Sequence, residues 1–311
     1  TVLPVAHARL MSTHTPQAWY GAGEFFAPNP DWDATISYYL HDAGTGPTTI
    51  TIASANGAVI RTLKGTSNKG MNRTVWDLRY PSPVDSAGNI PAAVASGRGG
   101  RGGRGAAGAG RGEEGGRGGP PAATPVGFPS NEGRGRGGVP VGPLVLPGHY
   151  SARVSVPGMS APLTESIVVE ADPLPAFPSA DRARRQTILM SIYDWTKALG
   201  NARIAARALI QQRDAIKADL GAPADSLDAR VTRLGTSVDR AYTAVNAQRN
   251  PIEGWSGMPT VDQRHAVERG TTEGRAALAE LNKLVNTDIP AAYRAASKTW
   301  ARPVKGVAAP K

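Results

Sequence analysis

Ala34-Thr-Ile-Ser-Tyr-Tyr-Leu40 alternates two kinds of residue along its length, and Thr48-Thr-Ile-Thr-Ile-Ala53 repeats the pattern a few positions later. A period of two is that of an extended strand with one face turned inward, and both runs are rich in β-branched and aromatic residues. His41-Asp-Ala-Gly-Thr-Gly-Pro47 between them carries turn residues. Asn56-Gly57 predicts a tight type I′ hairpin turn, because both central positions of that turn need positive φ. Ala58-Val-Ile-Arg-Thr-Leu63 returns as a strand, Lys69-Gly70 turns again, and Asn72-Arg-Thr-Val-Trp-Asp-Leu78 supplies another strand. Short strands about ten residues apart with turns between them are the pattern of an all-β sandwich.

Working outward, the strand texture stops at residue 91 and resumes at Pro143-Leu-Val-Leu146. His149-Tyr-Ser-Ala-Arg-Val-Ser-Val156 and Leu163-Thr-Glu-Ser-Ile-Val-Val169 follow as strands. Residues 91–142 between them are mostly Gly, Ala, Pro and Arg, as in Gly97-Arg-Gly-Gly-Arg-Gly-Gly-Arg-Gly105 and Gly133-Arg-Gly-Arg-Gly-Gly138. Such a stretch has almost nothing to bury and loses the most backbone entropy on ordering, so a disordered loop is expected. Strand texture on both sides makes it an insertion within one domain. Residues 1–24 read as an extended lead-in, with His7 and His14 in an unstructured stretch. Residues 25–171 read as an immunoglobulin-like sandwich, and the prolines of 172–178 as a connector.

Beyond the connector the period changes to that of helices. Ile188, Ile192, Trp195, Leu199, Ala202, Ala206 and Leu209 step by four and three, and Ile216 and Leu220 continue the stripe past Arg213. Leu227, Val231, Leu234, Val238, Ala241 and Val245 form a second stripe that Asn250-Pro251 ends. Val267, Thr271, Gly274, Leu278, Leu281 and Val285 form a third. A short fourth begins near Ile289-Pro290 and carries Tyr293, Ala296 and Trp300. These predict an antiparallel helical bundle or long helical hairpin over 179–301 with coiled-coil-like packing, followed by a tail over 302–311. Ser179 or Asp181 is expected to cap the first helix and Asp225 the second.

The reactive groups needed for catalysis are not gathered anywhere in the sequence. There are no cysteines, which excludes disulfides, thiol nucleophiles and zinc–thiolate sites. The five histidines (His7, His14, His41, His149 and His265) are not spaced with one another or with carboxylates as zinc ligands would be. No nucleophile elbow, P-loop or dinucleotide fingerprint occurs; the GxGxxG-like strings in the Arg/Gly tract lack a strand–helix context. Asp31, Asp33 and Asp42 are of the type that Ca²⁺ takes, and a solvated loop accounts for them as well. No catalytic residue, metal ligand or cofactor is therefore assigned. Trp76 and Tyr150 read as core aromatics. Trp195 and Trp300 match the helical stripes. Trp255, in Glu253-Gly-Trp-Ser-Gly257, is the aromatic that packing explains least, and it is taken as a candidate contact residue.

The net charge of +10 and pI near 10.1 invite an anionic partner. Arg98, Arg101, Arg104, Arg111, Arg117, Arg134 and Arg136 are the candidate residues, since Arg-Gly-Gly repeats in flexible chains bind RNA through charge and stacking. A polyanion, either RNA or an acidic polysaccharide, is thus the alternative ligand. Phe128 is the only Phe or Tyr within the tract, and a spacer role is the favoured reading of it. No stretch approaches the ~20 apolar residues needed to cross a bilayer.

Several of these segments form an ordered set. They are Phe26-Ala-Pro-Asn-Pro30, Ala34–Leu40, Gly57–Leu63, Gly70-Met-Asn-Arg-Thr-Val-Trp-Asp-Leu-Arg79 and Gly142-Pro-Leu-Val-Leu-Pro-Gly-His-Tyr150. The set resembles the C-terminal region of bacterial sortilin/Vps10-like, BNR-repeat glycosyl-hydrolase-like proteins, and its middle resembles the immunoglobulin-like module of flagellar hook-capping proteins. The helical part is similar to the tail that follows that module. The resemblance implies an extracellular or periplasmic protein in which β-propellers lie upstream and carry any glycosidase chemistry. No family catalytic residue maps onto this chain. What is expected is a non-catalytic accessory module that contacts the upstream propeller, other subunits or a glycan, and that self-associates through its helices.

Overall fold

In a computed structural model, residues 1–11, 32–83, 141–173 and 177–310 are described. They form a curled β unit and a helical unit. The β unit contains β1 (Ala8–Leu10), β2 (Ala34–Leu40), β3 (Thr48–Ser54), β4 (Val59–Gly65), β5 (Gly70–Trp76), β6 (Gly148–Ser155) and β7 (Leu163–Ala171). Five strands make a mixed sheet in the order β1-β7-β6-β3-β4, and β2 pairs with β5 in a second sheet. Because β3 and β4 precede residue 84 while β6 and β7 follow residue 140, the chain leaves and re-enters one sheet.

Alternation decides which side chains go inward. Ala34, Ile36, Tyr38 and Leu40 of β2 are buried, as are Ile50 and Ile52 of β3, Ala152 and Val154 of β6, and Ile167 and Val169 of β7. All belong to one core shared by both sheets, with Trp76 fully buried at its centre. The Trp76 ring meets Tyr150 edge-on at 5.4 Å, and its indole N–H donates to Arg79 O. Asn72 is buried too, and every polar atom of its amide is used. Its Nδ2 donates to Asn68 O and Gly70 O, while its Oδ1 accepts from Thr66 Oγ1 and Asn68 N. That satisfies a group whose burial would otherwise be costly, and it fixes the β4–β5 turn.

Several sequence expectations need correction here. Asn56-Gly57 does not form a type I′ turn, since among the non-glycine described residues only Leu78 and Ser297 have positive φ. Gly57 N–H donates to Ser54 O, Ser54 N–H to Ala58 O, and Gly57 alone has φ +82°. This is a longer hairpin loop closed by one left-handed glycine, with Asn56 Oδ1 accepting from Ser54 Oγ and Ala58 N. Pro143–Leu146 is not a strand either. Only Leu144 bridges, to Arg79, because Pro143 and Pro147 cannot donate to a ladder. The start of the lead-in is ordered: Val2 bridges Tyr38, and β1 pairs in parallel with β7. His7 lies there as an ordered side chain whose ring Nδ1 sits 2.8 Å from Glu170 Oε1.

The helical unit contains α1 (Ser179–Gln211), α2 (Arg213–Leu220), α3 (Ala224–Ala247), α4 (Arg249–Glu253), α5 (Val261–Lys283), a π-helical turn (Leu284–Asp288) and α6 (Ile289–Ala295). The apolar stripes read from sequence are the buried faces: Ile192, Trp195, Leu199 and Leu209 of α1, Leu227 to Val245 of α3, and Val267, Leu278 and Leu281 of α5 share one core. Arg203 pairs with Asp239 and Arg213 with Asp228, while Arg240 pairs with Glu273 and Arg230 with Glu280. In the second set one number rises as the other falls, so α3 and α5 run in opposite directions, while α1 and α2 each reach α3 through one arginine.

The expected caps are absent. Pro178 and Pro223 occupy the N-cap positions of α1 and α3, with no side-chain cap; Asp181 and Asp225 lie instead in the first turns, where their charge favours the helix dipole. Asn250-Pro251 does not end α3. That helix stops at Ala247, and Pro251 sits within α4, near a helix start where its missing N–H costs little. The π turn lies just ahead of Pro290, which has no N–H to donate and crowds the preceding turn. Trp300 lies past the last helix, on an extended tail that packs against the helical core.

Candidate functional site

The two units meet around α4, and the meeting point explains why Trp255 is placed as it is. Gly254 N–H donates to Asn250 O and closes the short helix. The chain then turns through Trp255 and Ser256 to Gly257. The indole of Trp255 lies against Gly257, where an added Cβ would come within 2.6 Å of Nε1. A side chain at 257 would push the indole aside. The Trp255 carbonyl accepts from the Arg185 guanidinium of α1. Arg185 is itself stacked 4.6 Å over the Phe177 ring, and Arg182 lies 5.3 Å from the same ring. The backbone of Trp255 is thereby tied down while its side chain stays 63% exposed.

Two residues earlier the chemistry is the reverse of exposed. Glu253 keeps only 10% of its side chain in solvent and accepts from Arg79 Nη1 and from Leu144 N, both at 2.7 Å. Arg79 also donates to Gly142 O, Gln186 Nε2 to Leu144 O, and Arg249 Nη1 to Val141 O. The Tyr80 and Tyr193 rings meet at a tilt of 48°, with centroids 6.2 Å apart, across the same junction. The chain on either side of residues 84–140 is thus anchored on the helical unit. Burial holds the Arg249 guanidinium below its usual range, opposed by Glu253 and reinforced by the Arg79 charge. Burial lowers Arg185 too, helped by Arg182 and opposed by Glu253. Glu253 is the carboxylate these guanidiniums share, so the local balance is positive.

This arrangement can bind; it gathers guanidiniums, backbone groups and an aromatic plate. Among the described residues no group of three or more His, Asp or Glu side chains is placed to hold a metal. A shallow concavity lined by His265, Glu268, Arg269, Thr272 and Glu273 lies along α5 alone. Asp31 lies outside the described residues, and the Asp42 carboxylate sits beside His41. No helix among the described residues is long and apolar enough to cross a membrane.

Of the residues singled out in the sequence, Arg98, Arg101, Arg104, Arg111, Arg117, Arg134 and Arg136 lie outside the described residues, and Trp255 alone is placed. The sequence did not point to Glu253, Arg79, Arg249 or Gln186. Glu253 and Arg79 are 174 positions apart, and no local spacing announces a pair at that separation. Comparison with protein-family models, with curated proteins and with solved structures returns no match for this chain.

Proposed function

We propose that the chain is a non-catalytic interaction module whose Trp255 face docks on a neighbouring protein domain. The observation that carries this reading is the exposed indole held over Gly257 with its carbonyl fixed by Arg185. Contact surfaces draw their strongest residues from Trp and Arg. The resemblance to the region behind exported BNR-repeat propellers makes an upstream propeller the intended neighbour, in an extracellular or periplasmic setting.

The finer fold reading is an immunoglobulin-like sandwich followed by an antiparallel bundle. It is supported by the N-terminal segment, which bridges β2 at Val2 and pairs with β7 at β1, so that both sheets share it. Tyr150 adds to it: its hydroxyl donates to Leu146 O four residues upstream, the corner contact of such sandwiches.

The test is a photo-reactive benzophenone amino acid at position 255 in the full exported polypeptide, followed by mapping of the cross-linked peptides. Cross-links to propeller strands are expected. A chain that cross-links nowhere, or hydrolysis of a glycan by this module that a point change abolishes, would overturn the proposal. The net charge of +10 favours a second reading, polyanion binding through the Arg/Gly tract. It predicts that deleting residues 97–138 lowers affinity for single-stranded RNA or heparin and flattens the salt dependence; unchanged values remove it.

A further inference from the structure

The segment after α6 does not trail from the helical unit. It lies along it as an extended strap held at spaced points. Trp300 stacks on Tyr293 at 6.4 Å with rings 18° apart, and its indole N–H donates to Gln212 Oε1 at 3.0 Å. Val304 and Val307 pack against the helical core, while Lys305 between them is exposed. Asn282 of α5 reads the strap's backbone in both directions: Nδ2 donates to Val307 O at 2.8 Å, and Val307 N donates back to Oδ1 at 2.8 Å. A Cβ on Gly306 would fall on the Asn282 amide oxygen, so the approach requires glycine. A paired backbone contact, a glycine-only crossing and three spaced apolar anchors are the parts of a site that recognises an extended peptide.

The strap reaches this site by a sharp reversal. Ser297 has φ +55°, a left-handed conformation that a non-glycine residue adopts at a cost. Its N–H donates to Arg294 O, and Lys298 N–H donates to Tyr293 O, closing the turn. If Ser297 takes an ordinary extended conformation, the strap leads away from its own groove with every anchor intact. A second copy offers the identical groove, so the exchange keeps the contacts of residues 300–310 and gives up only the two hydrogen bonds of the strained turn.

We infer that the α5 groove around Asn282 is an extended-peptide site that accepts residues 300–310 of a second copy of this chain in place of its own. The inference stands apart from the Trp255 surface and survives or fails without it.

Full-length chains with changes at the hinge and in the groove separate the outcomes. Ser297→Pro forbids the reversal and is expected to turn a mostly monomeric chain into a concentration-dependent dimer by light scattering. Ser297→Gly relieves the turn and is expected to reduce any dimer at least several-fold. Adding Asn282→Leu to Ser297→Pro should return the chain to monomer and expose residues 298–310 to protease. A Ser297→Pro chain that stays monomeric, whether its tail is protected or cut, overturns the inference. So does a dimer that Asn282→Leu leaves intact. Should Ser297→Pro fold poorly, a fluorescent peptide of residues 298–310 titrated against the Gly306→Val chain, whose own strap is displaced, gives the same decision: saturable binding supports the site, and no binding overturns it.

Discussion

The hydroxyl of Tyr150 donates to Leu146 O at 2.6 Å, and the ring packs edge-on against Trp76. Burial, with a smaller contribution from Tyr80, pushes its ionisation up to about 12. An unfolded tyrosine ionises near 10, so the folded state holds the proton more tightly. The stability linked to that proton is complete below about pH 10 and is lost as pH rises towards the folded value. Tyr150→Phe should therefore cost about 1 kcal/mol at neutral pH, the worth of one hydrogen bond. It should also unfold less steeply between about pH 10 and 12, as chemical denaturation across that range will show. Trp255→Ala should leave stability within about 0.5 kcal/mol of the parent, because a ring this exposed belongs to neither core. These two aromatics were separable in the sequence: Tyr150 sits in an alternating strand, whereas Trp255 sits where no period requires an apolar residue.

Among the elements, the helix stripes were legible because a buried face repeats every three to four residues whatever it packs against. What the stripe does not reveal is how close two helices come. Gly274 of α5 faces Trp195 and Leu199 of α1, where an added Cβ would meet the indole at 3.1 Å. Gly274→Leu should destabilise by about 1–3 kcal/mol through overpacking, measured by thermal unfolding, with Gly274→Ala milder. The caps are hard to read because Ser179, Asp181 and Asp225 are cap residue types one to three positions past the N-cap positions that Pro178 and Pro223 occupy. Thr260, which forms a full capping box with Gln263 at the start of α5, carried the Thr-x-x-Gln signature and went unused. Hairpin chemistry was half legible: Gly57 does take the left-handed position, but the strands set a longer loop than the dipeptide suggests. Between α2 and α3, Arg213 and Lys217 hold the Asp228 carboxylate below its usual range, with Arg213 the stronger cause. The stability it confers is present above about pH 4, the unfolded carboxylate value, and is lost as pH falls through the lower folded value. Asp228→Asn should lose less stability than the parent as pH falls below about 4, followed by circular dichroism melts.

On the scale of the whole molecule, Glu253 joins what the sequence divides. Composition places a boundary in the prolines after β7, and nothing in the strand or helix periods says that the two sides touch. The structure ties them through a carboxylate that Arg79 and the Leu144 N–H share, beside the buried Arg249. A pair with so little solvent around it is poorly screened by salt, and removing one partner leaves the others desolvated and unsatisfied. Glu253→Ala should cost about 2–3 kcal/mol, the penalty for stranding a buried donor and a charge. Glu253→Gln should cost less, because its amide oxygen can still accept from Leu144. The distinguishing consequence is cooperativity. With the carboxylate in place, the β unit and the helical unit resist separation and should melt together. Without it, calorimetry should resolve two transitions, and hydrogen exchange should rise at Leu144, whose N–H donates to Glu253 across the junction. A Glu253→Ala chain that melts in one transition at the parental temperature would show that apolar contacts such as Tyr80 on Tyr193 hold the units together without it. A split melt would make Glu253 the residue that turns two cores into one body. The same carboxylate would then fix the position from which Trp255, two residues along, faces its partner.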